Sequence, residues 1–157
     1  MLPTLSYVTA TKNKLPYLKI GLEKLIAHKK PDEEILVADG ASIDGTPEYL
    51  AELKRQGKIE YCISEPDYGE SHALNKLFLA ARGTLIKIIN DDDAYYFPAI
   101  AACKEFMLAH PDIDLLGTEG GSFKHKTPST LVIRRVEGYI DNYRRWQKDH
   151  TPFEFTV

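Results

Sequence analysis

The chain of 157 residues is 43% hydrophobic and 27% charged, with a net charge of -3. That is enough for one domain with a real core, since at about 150 residues a domain buries roughly 68–70% of its unfolded surface. The balance of charge gives no basic footprint for the chain as a whole, which excludes nucleic acid as an expected partner.

In chain order, "LSYVTA" (5–10) is a short β-rich run. "LPYLKIGLEKLIAHKK" follows, placing Leu15, Leu18, Leu22, Leu25 and Ile26 on one helical face, with Pro16 in the first turn. "EILVADG" is an apolar strand running into a turn. "TPEYLAELKRQG" predicts a helix with Thr46 as N-cap, Pro47 at the first helical position and Gly57 just past the end. "IEYCIS" is a strand, "ESHALNKLFLAARG" a helix through Leu74, Leu77, Phe78 and Ala81, and "TLIKIIN" the next strand. "PAIAACKEFMLAHP" is an amphipathic helix stopped by Pro111, and "DIDLLGTEGG" predicts a fifth strand. Beyond Gly121 the pattern shifts to two short strands, "SFKHK" and "TLVIRRV", and a helix over "GYIDNYRRWQKDH".

Alternation of strands and helices at this period predicts an α/β domain, a mostly parallel sheet with helices on both faces. Residues 1–120 would form that core and 121–157 a short appended region. No run approaches the ~18 apolar residues of a membrane span, and the N-terminus has no signal-peptide pattern. Cys62 and Cys103 lie among apolar neighbours without metal-ligand spacing. They read as reduced, buried thiols in a cytoplasmic protein. From Lys124 to Lys148 the tail is basic, carrying Lys124, Lys126, Arg134, Arg135, Arg144, Arg145 and Lys148 against Glu137 and Asp141. Such a run reads first as a solvated face, and second as a contact for an anionic ligand, a membrane surface or another copy of the chain.

In sheets of this kind the ligand crevice lies at the carboxyl ends of the strands. The polar stretches Thr9–Asn13, Asp39–Thr46, Ser64–Gly69 and Asn90–Asp93 all follow strands and crowd that edge. Adjacent carboxylates repel unless a cation or proton separates them. Mg²⁺ is usually held by one or two carboxylates plus substrate phosphates. In an extended segment, first and third side chains share a side, so Asp91 and Asp93 are the expected pair, with Asp92 turned away. The competing reading is an acidic loop capping the next helix. "ADGASIDGT" has small residues that leave room for close backbone approach, or is simply a tight strand-to-helix loop. His72 and the other histidines have no metal-ligand spacing, and neither a Walker loop nor a dinucleotide fingerprint is present.

Together these loops resemble the family 2 glycosyltransferases, inverting enzymes of the Rossmann-like GT-A fold that use nucleotide sugars. The resemblance covers about residues 4–120. "YVTATKN" is similar to a first strand ending Pro-Thr-x-Asn, with Thr11 and Asn13 matching and Ala10 in place of Pro. "VADGASIDGT" resembles Val-Asp-Gly-Gly-Ser-Thr-Asp-Gly-Thr, which puts Asp39 on the base-contacting aspartate. "SEPDYGESHALNK" resembles Ser-Glu-Pro-Asp-x-Gly-x-Ser-Asp-Ala-x-Asn-Lys, with His72 where Asp is usual. "INDDDAYYFP" resembles the ribose and metal aspartates, one residue further from Pro98 than usual.

The resemblance implies a nucleotide-sugar site made of Thr11, Asn13, Asp39, Asp67, Asn75, Asp91 and Asp92. It places a divalent metal (Mn²⁺ or Mg²⁺) on Asp93 and implies a sugar or glycolipid acceptor in polysaccharide or glycoconjugate synthesis. A UDP- or dTDP-sugar donor is favoured on the chemistry of Asp39, since a carboxylate accepts from the pyrimidine N3–H that cytosine lacks, while guanine also has an N–H donor. Family members continue with an acceptor-binding half that carries the catalytic base. Here only Asp141, Asp149 and Glu154 offer themselves, by residue type alone, so donor binding with weak transfer is expected, and attachment to a membrane through the basic tail is a further possibility. Two other readings remain open: a nucleotide-sugar-binding module without transfer activity, and a metal-dependent phosphotransfer domain.

Overall fold

A computed structural model describes residues 2–118, 121–127, 130–135 and 139–150. They form two compact units, Met1–Phe106 and Met107–Val157. The first contains β1 (Leu5–Thr11), α1 (Leu15–His28), β2 (Glu33–Asp39), α2 (Thr46–Arg55), β3 (Tyr61–Ser64), α3 (Glu70–Ala80) and β4 (Leu85–Ile88). Helix α4 (Phe97–Ala109) begins in it. Further on come β5 (Gly121–Thr127), β6 (Thr130–Arg135) and α5 (Tyr139–Asp149).

The four strands of the first unit make one parallel sheet in the order β3-β2-β1-β4. Both β1 and β2 are buried along nearly their whole length, as expected of central parallel strands covered on both faces. On one face Leu5, Tyr7, Ile35, Val37 and Ile89 pack with Leu18, Leu22 and Leu25 of α1 and Leu50 and Leu53 of α2. On the other, Val8, Leu36 and Ala38 pack with Ala73 and Leu77 of α3. The apolar stripe predicted for α1 is therefore the one that is buried, with Ile26 packed at its margin. On α3 the buried contact is narrower than predicted, because Phe78 faces partly outward.

Two local expectations are corrected. Gly45, not Thr46, precedes α2, with a φ of +91° that suits glycine. Thr46 opens the helix, and both its amide and its hydroxyl donate to the Asp44 carboxylate. Asp44 has taken the capping role that the sequence suggested for Thr46. The fifth strand expected in "DIDLLGTEGG" does not form over residues 112–118. There the Ile113 amide bonds back to the His110 carbonyl and turns the chain, and Leu115 is exposed. The first strand after α4 is β5, which pairs antiparallel with β6.

The amino end of the sheet is fastened by buried charge. Glu34 accepts from the Ser6 hydroxyl (2.7 Å), the Arg82 amide (2.7 Å) and the Arg82 guanidinium (2.8 Å). Glu33 accepts from Tyr7 (3.2 Å), the Lys30 amide (2.9 Å) and Lys104 (2.9 Å). Buried carboxylates are tolerated only when paired in this way. Gly83 lies so close to β1 that a Cβ there would stand 2.6 Å from the Ser6 nitrogen.

Candidate functional site

Strand order places β1 between β2 and β4, and the chain direction of the winding reverses between β1 and β4. In open α/β sheets this switch point, at the carboxyl ends, is where ligands bind. Register sets Thr11 beside Asp39 and Asp39 beside Ser64, so the last residues of β1, β2 and β3 stand in a row. On the other side of β1, the Ile89 amide continues the pairing by bonding to the Val8 carbonyl, and the acidic turn follows.

Two hydrogen-bonded groups tie the loops of this edge. The first joins β1 to the segment after β4. Thr11 Oγ1 donates to Asp91 Oδ2 at 2.7 Å. Lys14 Nζ donates to Asp91 Oδ1 at 3.1 Å and to Asp92 Oδ2 at 2.8 Å. Asp91 is only 7% exposed, whereas Lys14 is 43% exposed. The two carboxylates hold the Lys14 ammonium well above the ordinary lysine range, Asp92 contributing most. Asp93 stands apart, accepting from the Asn90 side-chain amide at 2.7 Å. The far flank is fixed by Tyr95, whose hydroxyl accepts from the Asn90 amide at 2.8 Å and is pushed up to about 12, chiefly by burial.

The second group joins the loops after β1 and β2. Asp39 is 2% exposed. It accepts from the Ser42 amide at 3.1 Å, from the Ser42 hydroxyl and from the Ser64 hydroxyl. Ser42 Oγ in turn accepts from the Asn13 amide at 2.7 Å, and Asn13 Oδ1 accepts from the Ile43 amide at 3.0 Å. Asn13 adopts a φ of +53°, a conformation asparagine tolerates. Asp44 accepts from the Leu15 amide at 2.9 Å, so one carboxylate serves the first turns of both α1 and α2. These bonds, that of the Leu15 amide foremost, lower its pKa. The third loop closes over the second. Asp67 accepts from the Gly69 amide at 3.0 Å, and a Cβ on Gly40 would fall 2.6 Å from Asp67 Oδ2. Only glycine at position 40 leaves that carboxylate its place.

Of the residues expected from sequence, Thr11, Asn13, Asp39, Asp91 and Asp92 are thus linked into this edge, and Asp67 packs on it. Asn75 is exposed on α3. The expected pairing of Asp91 with Asp93 is corrected. The chain turns at Asp91–Asp92 instead of running extended, so the alternation of sides does not apply, and Lys14 gathers Asp91 with Asp92. The His72 Nδ1 accepts from the Tyr68 amide at 3.1 Å. Sequence reasoning missed Lys14, Ser42 and Ser64. A single lysine or serine beside a turn carries no spacing signal, and their partners become neighbours only through the fold.

Among the described residues no group of three or more His, Cys, Asp or Glu is arranged to hold a metal by itself. The oxygen donors here suit a hard divalent cation with the remaining ligands from phosphate and water, the usual way Mg²⁺ is held. Asp93 is the carboxylate of the cluster outside the Thr11–Lys14 group, and it is exposed. The residues present fit such an ion.

The carboxylates considered as bases belong to the second unit, Met107–Val157. Asp141 is exposed on α5 and pairs with Arg144 at 3.3 Å. Asp149 ends that helix, and Glu154 lies outside the described residues, as do the side chains of Lys124, Lys126, Arg134 and Arg135. Cys62 and Cys103 are free and half-buried, and burial pushes the Cys62 thiol up. No helix among the described residues is long and apolar enough to cross a membrane.

The sequence and the fold both have known counterparts. The family model "Glycosyl transferase family 2" matches residues 6–156. The chain is 24% identical over 107 residues to the "Putative teichuronic acid biosynthesis glycosyltransferase TuaG" of Bacillus subtilis, covering 68% of this chain and 42% of that protein. In structure it is similar to S. aureus TarS 1-349 in complex with UDP-GlcNAc, with a TM-score of 0.62 and 19% identity over 78% of this chain and 38% of that one. It is also similar to the mannosyltransferase PcManGT from Pyrobaculum calidifontis in complex with GDP-Man and Mn²⁺. There the TM-score is 0.59 and the identity 26%, over 82% of this chain and 37% of that one. The chain therefore spans less than half the length of these relatives.

Proposed function

Since the chain belongs to glycosyl transferase family 2, we propose that the edge formed by the ends of β1, β2 and β4 binds a nucleoside-diphosphate sugar and supports transfer of its sugar to an acceptor hydroxyl. The observation that carries this reading is the joining of β1 to the acidic turn at the switch point through Thr11, Asp91 and Lys14. In this reading Thr11, Asn13, Asp39, Asp67, Asn75, Asp91 and Asp92 face the donor, and Asp93 holds a divalent cation. The cation neutralises charge that builds on the departing diphosphate. Support comes from PcManGT, which binds GDP-Man with Mn²⁺.

The reading leans to a uridine or deoxythymidine donor, because a carboxylate such as Asp39 accepts from the pyrimidine N3–H, a donor cytosine lacks; guanine offers an N–H donor as well, so the argument sets these bases apart from cytosine and not from guanine. The Ser42 and Ser64 hydroxyls must turn aside for Asp39 to do so, since both donate to it here. The acceptor is a sugar or glycolipid in polysaccharide or glycoconjugate synthesis, the setting named for TuaG. Inversion requires a carboxylate to take the acceptor proton.

Calorimetry with UDP, GDP and dTDP, with and without Mn²⁺, tests the binding. Saturable, metal-dependent binding of one of them is expected. Absence of binding by all three overturns the donor site, and equal affinity without metal overturns the role of Asp93. Release of nucleoside diphosphate over a panel of donors and sugar acceptors then tests transfer, with Asp141→Asn, Asp149→Asn and Glu154→Gln locating the base.

A further inference from the structure

The acidic turn already holds a cation, and it is part of the chain. Lys14 Nζ lies 3.1 Å from Asp91 and 2.8 Å from Asp92. The two carboxylates are held differently. Asp91 is buried and keeps the Thr11 hydroxyl as a second partner, while Asp92 is about half exposed and is held by Lys14. The Lys14 backbone is fixed, for its carbonyl accepts from the Tyr17 and Leu18 amides that start α1. Its side chain is a compact charge on a flexible four-carbon stem, open to solvent at the edge proposed to receive the donor.

Resting on that reading of the edge, we propose that Lys14 is the resident counterion of the site. It holds Asp91 and Asp92 while the site is empty, and its ammonium turns to the donor's diphosphate when a divalent cation arrives. A divalent cation at the acidic turn repels the ammonium and takes over neutralisation of the carboxylates. The donor's diphosphate together with the carboxylates of the acidic turn carries more negative charge than one divalent cation balances, and a lysine is an effective point-charge partner for phosphate. Asp91 stays in place through Thr11 during the exchange, and Asp92 is the carboxylate set free. Lys14 is thus a positioning residue in the empty site and a diphosphate contact in the filled one.

A plain structural clamp and an exchanging counterion predict opposite signs. The wild type, Lys14→Gln and Lys14→Arg are titrated by calorimetry with Mn²⁺ alone, then, in Mn²⁺, with whichever of UDP, GDP and dTDP the wild type holds and with the matching nucleoside. Lys14→Gln keeps hydrogen bonding to the carboxylates without the charge, and Lys14→Arg keeps the charge; melting curves confirm that each is folded. Lys14→Gln is expected to bind Mn²⁺ alone several-fold more tightly, to lose about tenfold in diphosphate affinity, and to leave the nucleoside unchanged. Lys14→Arg is expected to retain most of the diphosphate affinity. A Lys14→Gln protein that binds Mn²⁺, diphosphate and nucleoside all more weakly marks a clamp and overturns the proposal, as does unchanged diphosphate affinity. A wild type that binds no nucleoside diphosphate overturns the donor-site reading and this proposal with it; the other failures leave that reading standing.

Discussion

Thr11 and Asp91, 80 positions apart in the chain, meet through a 2.7 Å hydrogen bond between hydroxyl and carboxylate. Both are buried. The bond fixes the acidic turn against β1, and a buried carboxylate that loses a donor costs about 1–3 kcal/mol. Thr11→Val keeps the shape and the β-branch but removes the donor. Urea unfolding is expected to show a loss in that range, with Thr11→Ser much closer to the wild type. A Val variant as stable as the wild type would show that Lys14 alone suffices to hold Asp91.

Asp93 is exposed and accepts hydrogen bonds from the Asn90 side-chain amide and the Tyr95 hydroxyl. Asp93→Ala also relieves repulsion from its neighbours. Stability is expected to change by less than about 0.5 kcal/mol, while the dependence of nucleoside diphosphate binding on Mn²⁺ disappears. Unfolding of this variant would instead identify Asp93 as a structural cap.

Ala41 has a φ of +57° in the loop after β2, a region that costs a residue bearing a Cβ about 1–2 kcal/mol. Ala41→Gly is expected to stabilise the protein, by up to about 1 kcal/mol after the greater freedom of glycine in the unfolded chain is subtracted. A midpoint of denaturation below that of the wild type would refute this.

At the opposite end of the sheet, Lys104 bridges Asp32 (2.7 Å) and Glu33 (2.9 Å). The Lys104 ammonium, then the Thr4 hydroxyl, bring the Asp32 carboxyl from 3.8 to about 2. Because the folded value lies below the unfolded one, this contribution to stability is complete above about pH 4 and is lost as pH falls towards 2. Lys104→Met removes the larger part of it, the Thr4 hydroxyl remaining, and leaves Glu33 buried without its cation. Urea midpoints from pH 7 to pH 2.5 are expected to show the variant well below the wild type at neutral pH and the gap closing below pH 4. A gap that stays constant would exclude the ion pairs as its source.

The strands and helices of the first unit were legible because their signals are local. Leu18, Leu22 and Leu25 recur at helical spacing, and Gly57 follows the end of α2 with a φ of +68°. The motif residues Thr11, Asp39 and Asp91 were legible as polar groups placed directly after apolar strands. What was not legible depends on distant partners. Nothing local marks Glu33 and Glu34 for burial, yet they are buried, because Tyr7, Ser6, Arg82 and Lys104 come to meet them. Lys14 looks like an ordinary surface lysine until the fold brings residues 91 and 92 to it. The strand expected near Leu115 failed for the converse reason, since local β tendency forms no strand without a neighbour to pair with.

Asp44 serves the first turns of α1 and α2 together, and the Asn13 side chain grips the same loop through Ile43. The two loops are therefore mechanically one piece. A ligand that lands on this rim meets backbone already tied together, so the ordering cost on capture falls on side chains such as Ser42, Ser64 and Lys14 and not on the loops themselves. The same coupling spreads damage, because a change at Asp44 misaligns both helix starts and, through Asn13 and Ser42, the aspartate at the end of β2.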